Sequence, residues 1–437
     1  MAIAWSTPCN ASTAMRVLPL SAPARPKFSA TSSRAAWGSE TMGFPLEGVR
    51  ILELGQIIAG TYGGLVLSDL GAEVIKIETP EGDLGRIPSV APYNGESALF
   101  LTFNRNKRSI AIDLKSEDGR QVFYDLVKTS DVVIDNFRPG VLERLKIDYP
   151  ALKAIKPDII QCSVTGFGAS GEYKDAPALD IIIQAIAGYM AITGEPGRPP
   201  VRTGVPLADL SGGIFSSQAI LAALFDRERT GEGRYIELSM FDGIVSLLTY
   251  TGTMWLSKGE LAEPPGSGHM YSVPWQAFEC ADGYLVIATR QEVFWTRLCD
   301  AIDAPELADD PRFAKNPDRV ANRATLVPIL EDIFAQRTVG EWMERFRAGD
   351  IPAAPVNNLD GVFAEPPIAE REMIVEYDHP RAGKVRLPGN PIKMSGMEGT
   401  ISEPAPMHGE HTDEVLSELL GLDTPTIAAL RASGAVK

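Results

Sequence analysis

Acids that stand at the head of apolar segments offer this chain its clearest chemistry. In "VPLADLSGG" (205–213) one carboxylate, Asp209, lies between a short apolar run and a glycine-serine step that opens a helix-like pattern. Aspartate is a favoured helix N-cap, because its carboxylate bonds the free backbone N–H groups of the first turn. The same placement keeps a carboxylate ionised and leaves N–H donors for a developing oxyanion. Local pattern therefore allows both a cap and a nucleophile. Asp180 in "ALDIIIQAIAGYM" is a second acid of this kind, with Gln184 one turn further on.

Two clusters of cations stand out. "FNRNKRSIAIDLK" (103–115) packs Arg105, Lys107 and Arg108 into four residues beside Asn104 and Asn106, and "DNFRPG" (135–140) is followed by Arg144. Arginine binds phosphate by paired hydrogen bonds and lysine as a point charge, so either cluster could hold a phosphate. Either could equally be a solvated turn paired with nearby acids. The loop 55–64, "GQIIAGTYGG", carries four glycines, but a dinucleotide fingerprint needs gaps of two and then three, and the first gap here is five. Nicotinamide binding is not expected. Cys9, Cys162, Cys280 and Cys299 form no C-x-x-C pair, and His269, His379, His408 and His411 form no spaced ligand set with them, so neither a disulfide framework nor a metal site is expected.

The whole chain has 437 residues, 44% of them hydrophobic, and a formal charge of −16, which fits a folded enzyme and disfavours nucleic acid or an anionic membrane as a partner. No apolar run reaches the roughly 20 residues of a bilayer span. Residues 1–41 differ from the rest: Arg16, Arg25, Lys27 and Arg34 face only Glu40 among many Ser, Ala and Pro. Such a leader is either a disordered extension, or a start assigned too early, or an organellar transit peptide. A cytoplasmic location is expected, with the mitochondrial matrix as the alternative if residues 1–41 are a transit peptide.

The elements that must position these residues follow from periodicity. Strand-like "GVRILEL" (48–54), "AEVIKIE" (72–78), "DVVIDNF" (131–137), "DIIQCSV" (158–164) and "YIELSM" (235–240) alternate with helical patterns over 117–130, 141–155 and 213–233. That alternation predicts an α/β fold with a mostly parallel sheet covered on both faces. A Pro- and Gly-bearing stretch at 259–268 opens a smaller α/β region. The expected organisation is a large domain from 42–258, a small domain with linkers over 259–369 and a segment 370–437 that returns to the large domain.

Ten ordered blocks resemble the class III CoA-transferase family, of the formyl-CoA transferase and CaiB/BaiF type. They run from "LEGVRILELGQIIAG" through "DLGAEVIKIE", "FNRNKRSIAIDLK", "NFRPGVLERL", "VTGFG", "VPLADLSGG", "ILAALFDRERTGEGRYIELSMFDG", "DPRFAKNPDRVANR" and "IPAAPV" to "GEHTDEVL". The resemblance implies a Rossmann-like large domain, a small domain and a homodimer of chains interlinked like rings. It places the catalytic aspartate at Asp209, which would attack an acyl-CoA thioester to give an acyl-aspartyl anhydride and then an aspartyl-CoA thioester. It carries CoA contacts to Ile58 and Ala59, to Ile112, Asp113, Leu114 and Lys115, and to Asn136, Phe137, Arg138 and Arg144. Coenzyme A is then a substrate, and no metal or redox cofactor is implied.

The chain also departs from the family. Thr79 stands where some members have an arginine, and Pro177 and Leu179 stand where formyl-CoA transferase has a lysine and a tyrosine, which disfavours formyl-CoA and oxalate. The glycine-rich loop is shortened to something near 266–274. The expected activity is CoA transfer from an acyl-CoA, succinyl-CoA among the candidates, to a carboxylic acid, with Arg202 a candidate for gripping a second carboxylate. One alternative is a 2-methylacyl-CoA racemase, whose histidine would fall at Leu179; another is a non-catalytic acyl-CoA-binding protein in which Asp209 only caps a helix. His408 and His411 are expected to be structural.

Overall fold

Side chains of a strand alternate between faces, so a run that is apolar at both parities must be covered on both sides. In strand β1 (Arg50–Glu53), Ile51 enters a core with Leu67, Val132 and Ile220, while Leu52 enters another with Ile75, Phe123 and Val133. The computed structural model describes residues 43–88, 91–397 and 403–437, so the leader 1–41 lies outside the described residues. Six strands form the central sheet: β1, β2 (Glu73–Glu78), β3 (Lys107–Ala111), β4 (Val132–Asp135), β5 (Ile160–Thr165) and β6 (Tyr235–Ser239). Their spatial order is β3-β2-β1-β4-β5-β6, and every neighbouring pair is parallel. The chain thus has the expected α/β fold with a Rossmann-like sheet. Strand order reverses between β1 and β4, and in such sheets the loops leaving the carboxyl ends diverge there and open a crevice.

Helices α1 (Ala59–Ser68), α2 (Glu117–Lys128), α3 (Val141–Leu145), α4 (Tyr149–Ile155), α5 (Asp180–Ile186) and α6 (Leu207–Thr230) cover the sheet or frame that crevice. Ser116 caps α2 by accepting the Gly119 N–H at 3.0 Å, and Glu117 and Asp118 complement its positive end. The one helix expected over 141–155 is two. Lys146 takes a left-handed φ of 62° that ends α3, and Pro150 opens the first turn of α4, where its missing N–H is not needed.

By length and composition α6 could cross a bilayer, contrary to the expectation that no segment could, but half of that stretch is buried inside the protein. Its buried side carries small residues, Ser211, Gly212, Gly213 and Ser216, that let α1 approach. A Cβ on Gly213 would lie 2.7 Å from the Tyr62 Cβ and 3.1 Å from the Gly63 nitrogen.

The β3 edge is closed by the end of the chain. Asp113 N–H donates to the Ala435 carbonyl at 2.9 Å and Lys437 N–H to that of Ala111 at 3.1 Å. Val415, Leu416 and Ile427, from helices Thr412–Leu420 and Thr424–Ala432, join the core on that face. A second, three-stranded antiparallel sheet is formed by β7 (Trp275–Cys280), β8 (Gly283–Ala288) and β9 (Ala353–Pro355). It has its own core, built on Phe278, Trp295, Phe334, Trp342 and Phe346.

Because α1 and α6 meet at glycines, Gly213→Val is expected to destabilise the chain by about 1–3 kcal/mol through overpacking. A lower urea midpoint at unchanged slope would show it, and an unchanged midpoint would refute the close approach.

Candidate active site

The loops leaving β1 and β4 are laced together by one side chain. Gln56 N–H donates to Asn136 Oδ1 at 2.8 Å, and Asn136 Nδ2 donates back to the Gln56 carbonyl at 2.9 Å. Gly55 lets this loop lie on α1, since a Cβ there would sit 3.0 Å from the Thr61 nitrogen. Beneath Asn136, the buried Asp135 accepts from Ser163 Oγ at 2.7 Å and from the Phe137 N–H at 3.3 Å, fixing the start of the β4 loop. Burial pushes its carboxyl up to about 6.

Two adjoining cavities open here, and Gln56 and Phe137 line both. The larger, about 580 Å³, is lined by apolar Leu54, Ile77, Ile112 and Leu114, by the cations Lys115, Arg120 and Arg144, and by the acids Glu78, Glu81 and Asp113. An apolar slot edged by three cations suits a nucleotide carrying phosphates. The smaller, about 160 Å³, is lined by Ile58, Ala59, Asn136, Arg138, Lys174, Leu179, Asp180 and Asp209 among others. All the candidate residues carried over by resemblance therefore border one of two adjoining cavities at the switch point of the sheet.

The helix start around Asp209 is built differently from the expectation. The N-cap of α6 is Pro206, with no side-chain capping bond, and Asp209 lies inside the first turn. Asp180 caps the helix instead, from outside it: its Oδ1 accepts the Ala208 N–H at 2.8 Å and the Asp209 N–H at 3.4 Å. Its Oδ2 accepts from Gln184 Nε2 at 2.7 Å, and Gln184 Oε1 accepts from the Thr203 N–H at 3.0 Å. The reading of Asp209 as a cap is thereby corrected, and so is the expectation that the helix start keeps it ionised. Burial, and then the Asp180 charge beside it, push the Asp209 carboxyl up to about 7. A carboxyl so placed titrates near neutrality, the range that suits acid-base or nucleophilic work.

Other candidates fall away from this site. Arg202 lines neither cavity and its guanidinium bonds the Thr203 carbonyl at 3.2 Å. Arg105 and Lys107 are buried in ion pairs with Asp69 at 2.5 Å and with Glu53 at 2.7 Å, while Arg108 meets Glu418 at 2.9 Å, so this cluster is not a phosphate site. His408 Nε2 lies 2.9 Å from the Thr79 carbonyl, and His411 Nδ1 accepts the Ser109 N–H at 3.2 Å; both stitch the C-terminal segment to the sheet. Three residues of the site escaped the sequence reading: Gln56, Arg120 and Lys174. Gln56 carried a usable signal, its place directly after the first glycine of the β1 loop. Lys174 sits in a stretch without periodicity, and nothing in the sequence marks it.

An unfolded aspartate titrates near 3.8, and folded Asp209 does so at about 7. A raised value favours the folded chain while the proton is held, so this contribution is whole below pH 3.8 and is lost as pH rises through about 7. Asp209→Asn, which mimics the protonated form, is expected to gain progressively in urea midpoint over the wild type as pH rises from about 4 to about 7. Asp180→Asn, which keeps a capping oxygen and removes the charge, should narrow that gap; parallel pH dependences for all three proteins would contradict the assignment.

The chain as a whole matches a known family. Residues 46–412 match the model of CoA-transferase family III. The chain is 38% identical over 394 residues to succinyl-CoA:glutarate CoA-transferase of Mus musculus, covering 90% of each chain. It is 37% identical over 390 residues to succinyl-CoA:mesaconate CoA-transferase of Haloarcula hispanica, covering 87% of this chain and 98% of that one. A crystal structure of a CaiB/BaiF family protein from Brucella suis superposes with a TM-score of 0.79 at 37% identity, over 86% of this chain and all of that one. With the parallel sheet and the paired cavities at its switch point, these matches establish that the chain belongs to CoA-transferase family III and is a CoA-transferase.

Proposed function

We propose that the chain moves CoA from a dicarboxylic acyl-CoA, succinyl-CoA in the first instance, to a dicarboxylic acid, with Asp209 as the nucleophile. The observation that carries this reading is the confinement of Asp209, a carboxylate titrating near neutrality, in a small cavity that adjoins a nucleotide-sized one. The adenosine diphosphate end of CoA would lie in the larger cavity against Lys115, Arg120 and Arg144. The thioester would pass Gln56 and Phe137 to reach Asp209.

The ionised Asp209 attacks the thioester carbonyl, the C–S bond breaks, and an acyl-aspartyl anhydride and CoA thiolate result. The thiolate then attacks the Asp209 carbonyl, releasing the donor acid and leaving an aspartyl-CoA thioester. The acceptor carboxylate repeats the two exchanges in reverse order, and Asp209 is regenerated. Each intermediate is as activated as the thioester it replaces, which divides one hard exchange into easier ones.

Lys174 and Arg138 are the cations of the smaller cavity, and the family resemblance already gives Arg138 to CoA. We assign Lys174 to the distal carboxylate of the acyl group, a reading supported by the two relatives whose named substrates are dicarboxylic acids. The racemase alternative needs an imidazole beside the reacting carbon. Among the described residues no histidine lines either cavity, and Leu179 occupies the place in question.

The test is transfer from succinyl-CoA to a panel of mono- and dicarboxylic acids, with hydroxylamine trapping and peptide mapping. Trapping at Asp209 and a loss of roughly 10³-fold or more in Asp209→Ala are expected. Lys174→Ala should raise KM about tenfold for dicarboxylates and leave that for monocarboxylates, as loss of one charge-assisted contact predicts. Solvent deuterium entering the α-carbon without CoA transfer would favour the racemase, and binding without either reaction would favour the binding protein.

A further inference from the structure

Ile57 takes a left-handed φ of 64°. That region is sparsely populated by any residue with a Cβ and is a true outlier for a β-branched one, so something must hold it there. The Ile57 N–H donates to Asp83 Oδ1 at 3.2 Å, and the same oxygen accepts the Gly85 N–H at 2.6 Å. Asp83 Oδ2 lies 2.7 Å from Lys76 Nζ, both side chains being about 1% exposed. Lys76 Nζ in turn donates to the Gly55 carbonyl at 2.7 Å. It also reaches Glu53 at 3.3 Å, which Lys107 shares. A single buried ion cluster therefore grips the turn at both ends, at the Gly55 carbonyl and at the Ile57 amide, while Asn136 holds Gln56 between them.

Neither Asp83 nor Lys76 lines either cavity, whereas Gln56 lines both and Ile57, Ile58 and Ala59 line the smaller. Buried ion pairs add little net stability over apolar packing of equal volume, so the consequence to look for is geometric. We infer that Asp83, braced by Lys76, is a positioning residue for CoA binding: it holds Ile57 in its left-handed conformation and so sets the wall between the nucleotide and reaction cavities. The inference rests on reading those cavities as the acyl-CoA site. Touching no substrate, Asp83 acts only through the turn.

The test is a cycle in the full chain using Asp83→Ala, Ile57→Gly and the double variant, measuring the Kd of free CoA by calorimetry, KM and kcat for succinyl-CoA, and thermal unfolding. Asp83→Ala is expected to raise Kd and KM about tenfold, the scale of one strained backbone conformation. Glycine adopts a positive φ without that strain, so in the Ile57→Gly background the same substitution should raise them less than about threefold. Asp83→Asn keeps an oxygen for the Ile57 N–H and is read in the same two backgrounds if the alanine variant does not fold. A lowered melting temperature with Kd and KM unchanged, or an equal rise in both backgrounds, would overturn the inference and show a purely structural ion pair. A wild type that neither binds CoA nor yields a trapped Asp209 would instead overturn the functional reading, and the positioning role with it.

Discussion

Asp180 reaches from the first turn of α5 to accept the Ala208 N–H at 2.8 Å, and the chemistry of the small cavity follows from that bond. It satisfies an amide that would otherwise be free at the start of α6, and it sets a second carboxylate beside Asp209. Like charges held together in a buried place disfavour ionisation of one of them. A helix start alone would lower the Asp209 value; burial and Asp180 raise it to about 7 instead. Gln184 and Thr203 keep Asp180 in place from behind, so the pairing of the two acids is built rather than incidental.

The parallel sheet decides where this can happen. Its order reverses between β1 and β4, so the loops after those strands diverge and a crevice opens between them. The two loops are tied to each other by Asn136, and the β1 loop is held from the β2 side by the buried Lys76–Asp83 pair. A narrow wall between a nucleotide-sized cavity and a smaller one needs this fixing from both sides, because Gln56 and Phe137 line both cavities.

Much of the fold was legible because its signal is local. β1 and β4 carry apolar residues at both parities, the pattern of strands buried on two faces, while β2 and β5 put apolar residues chiefly at alternate positions; all four form the sheet that their alternation with helices predicts. The helix over 141–155 was read as one because Lys146 gives no hint in sequence of its positive φ. The site was less legible, for a physical reason: its decisive contacts join residues far apart in the chain. Asp209 passed for a cap because the true cap lies 29 residues earlier. Sequence leaves Lys107 open between a phosphate ligand and an acid-paired residue because its partner Glu53 lies 54 residues away in another strand. The candidate CoA contacts come only through the family resemblance, since spacing alone does not join Ile58 to Arg144.

Covalent acylation of Asp209 can be read directly with an oxygen label. In the proposed sequence the bridging oxygen of the second anhydride comes from the acceptor and stays on Asp209 when CoA leaves with the product. A single turnover with acceptor acid labelled in its carboxylates with oxygen-18, followed by peptide mass spectrometry, should place one labelled atom on Asp209. Product CoA ester formed with no label on that aspartate would contradict the account.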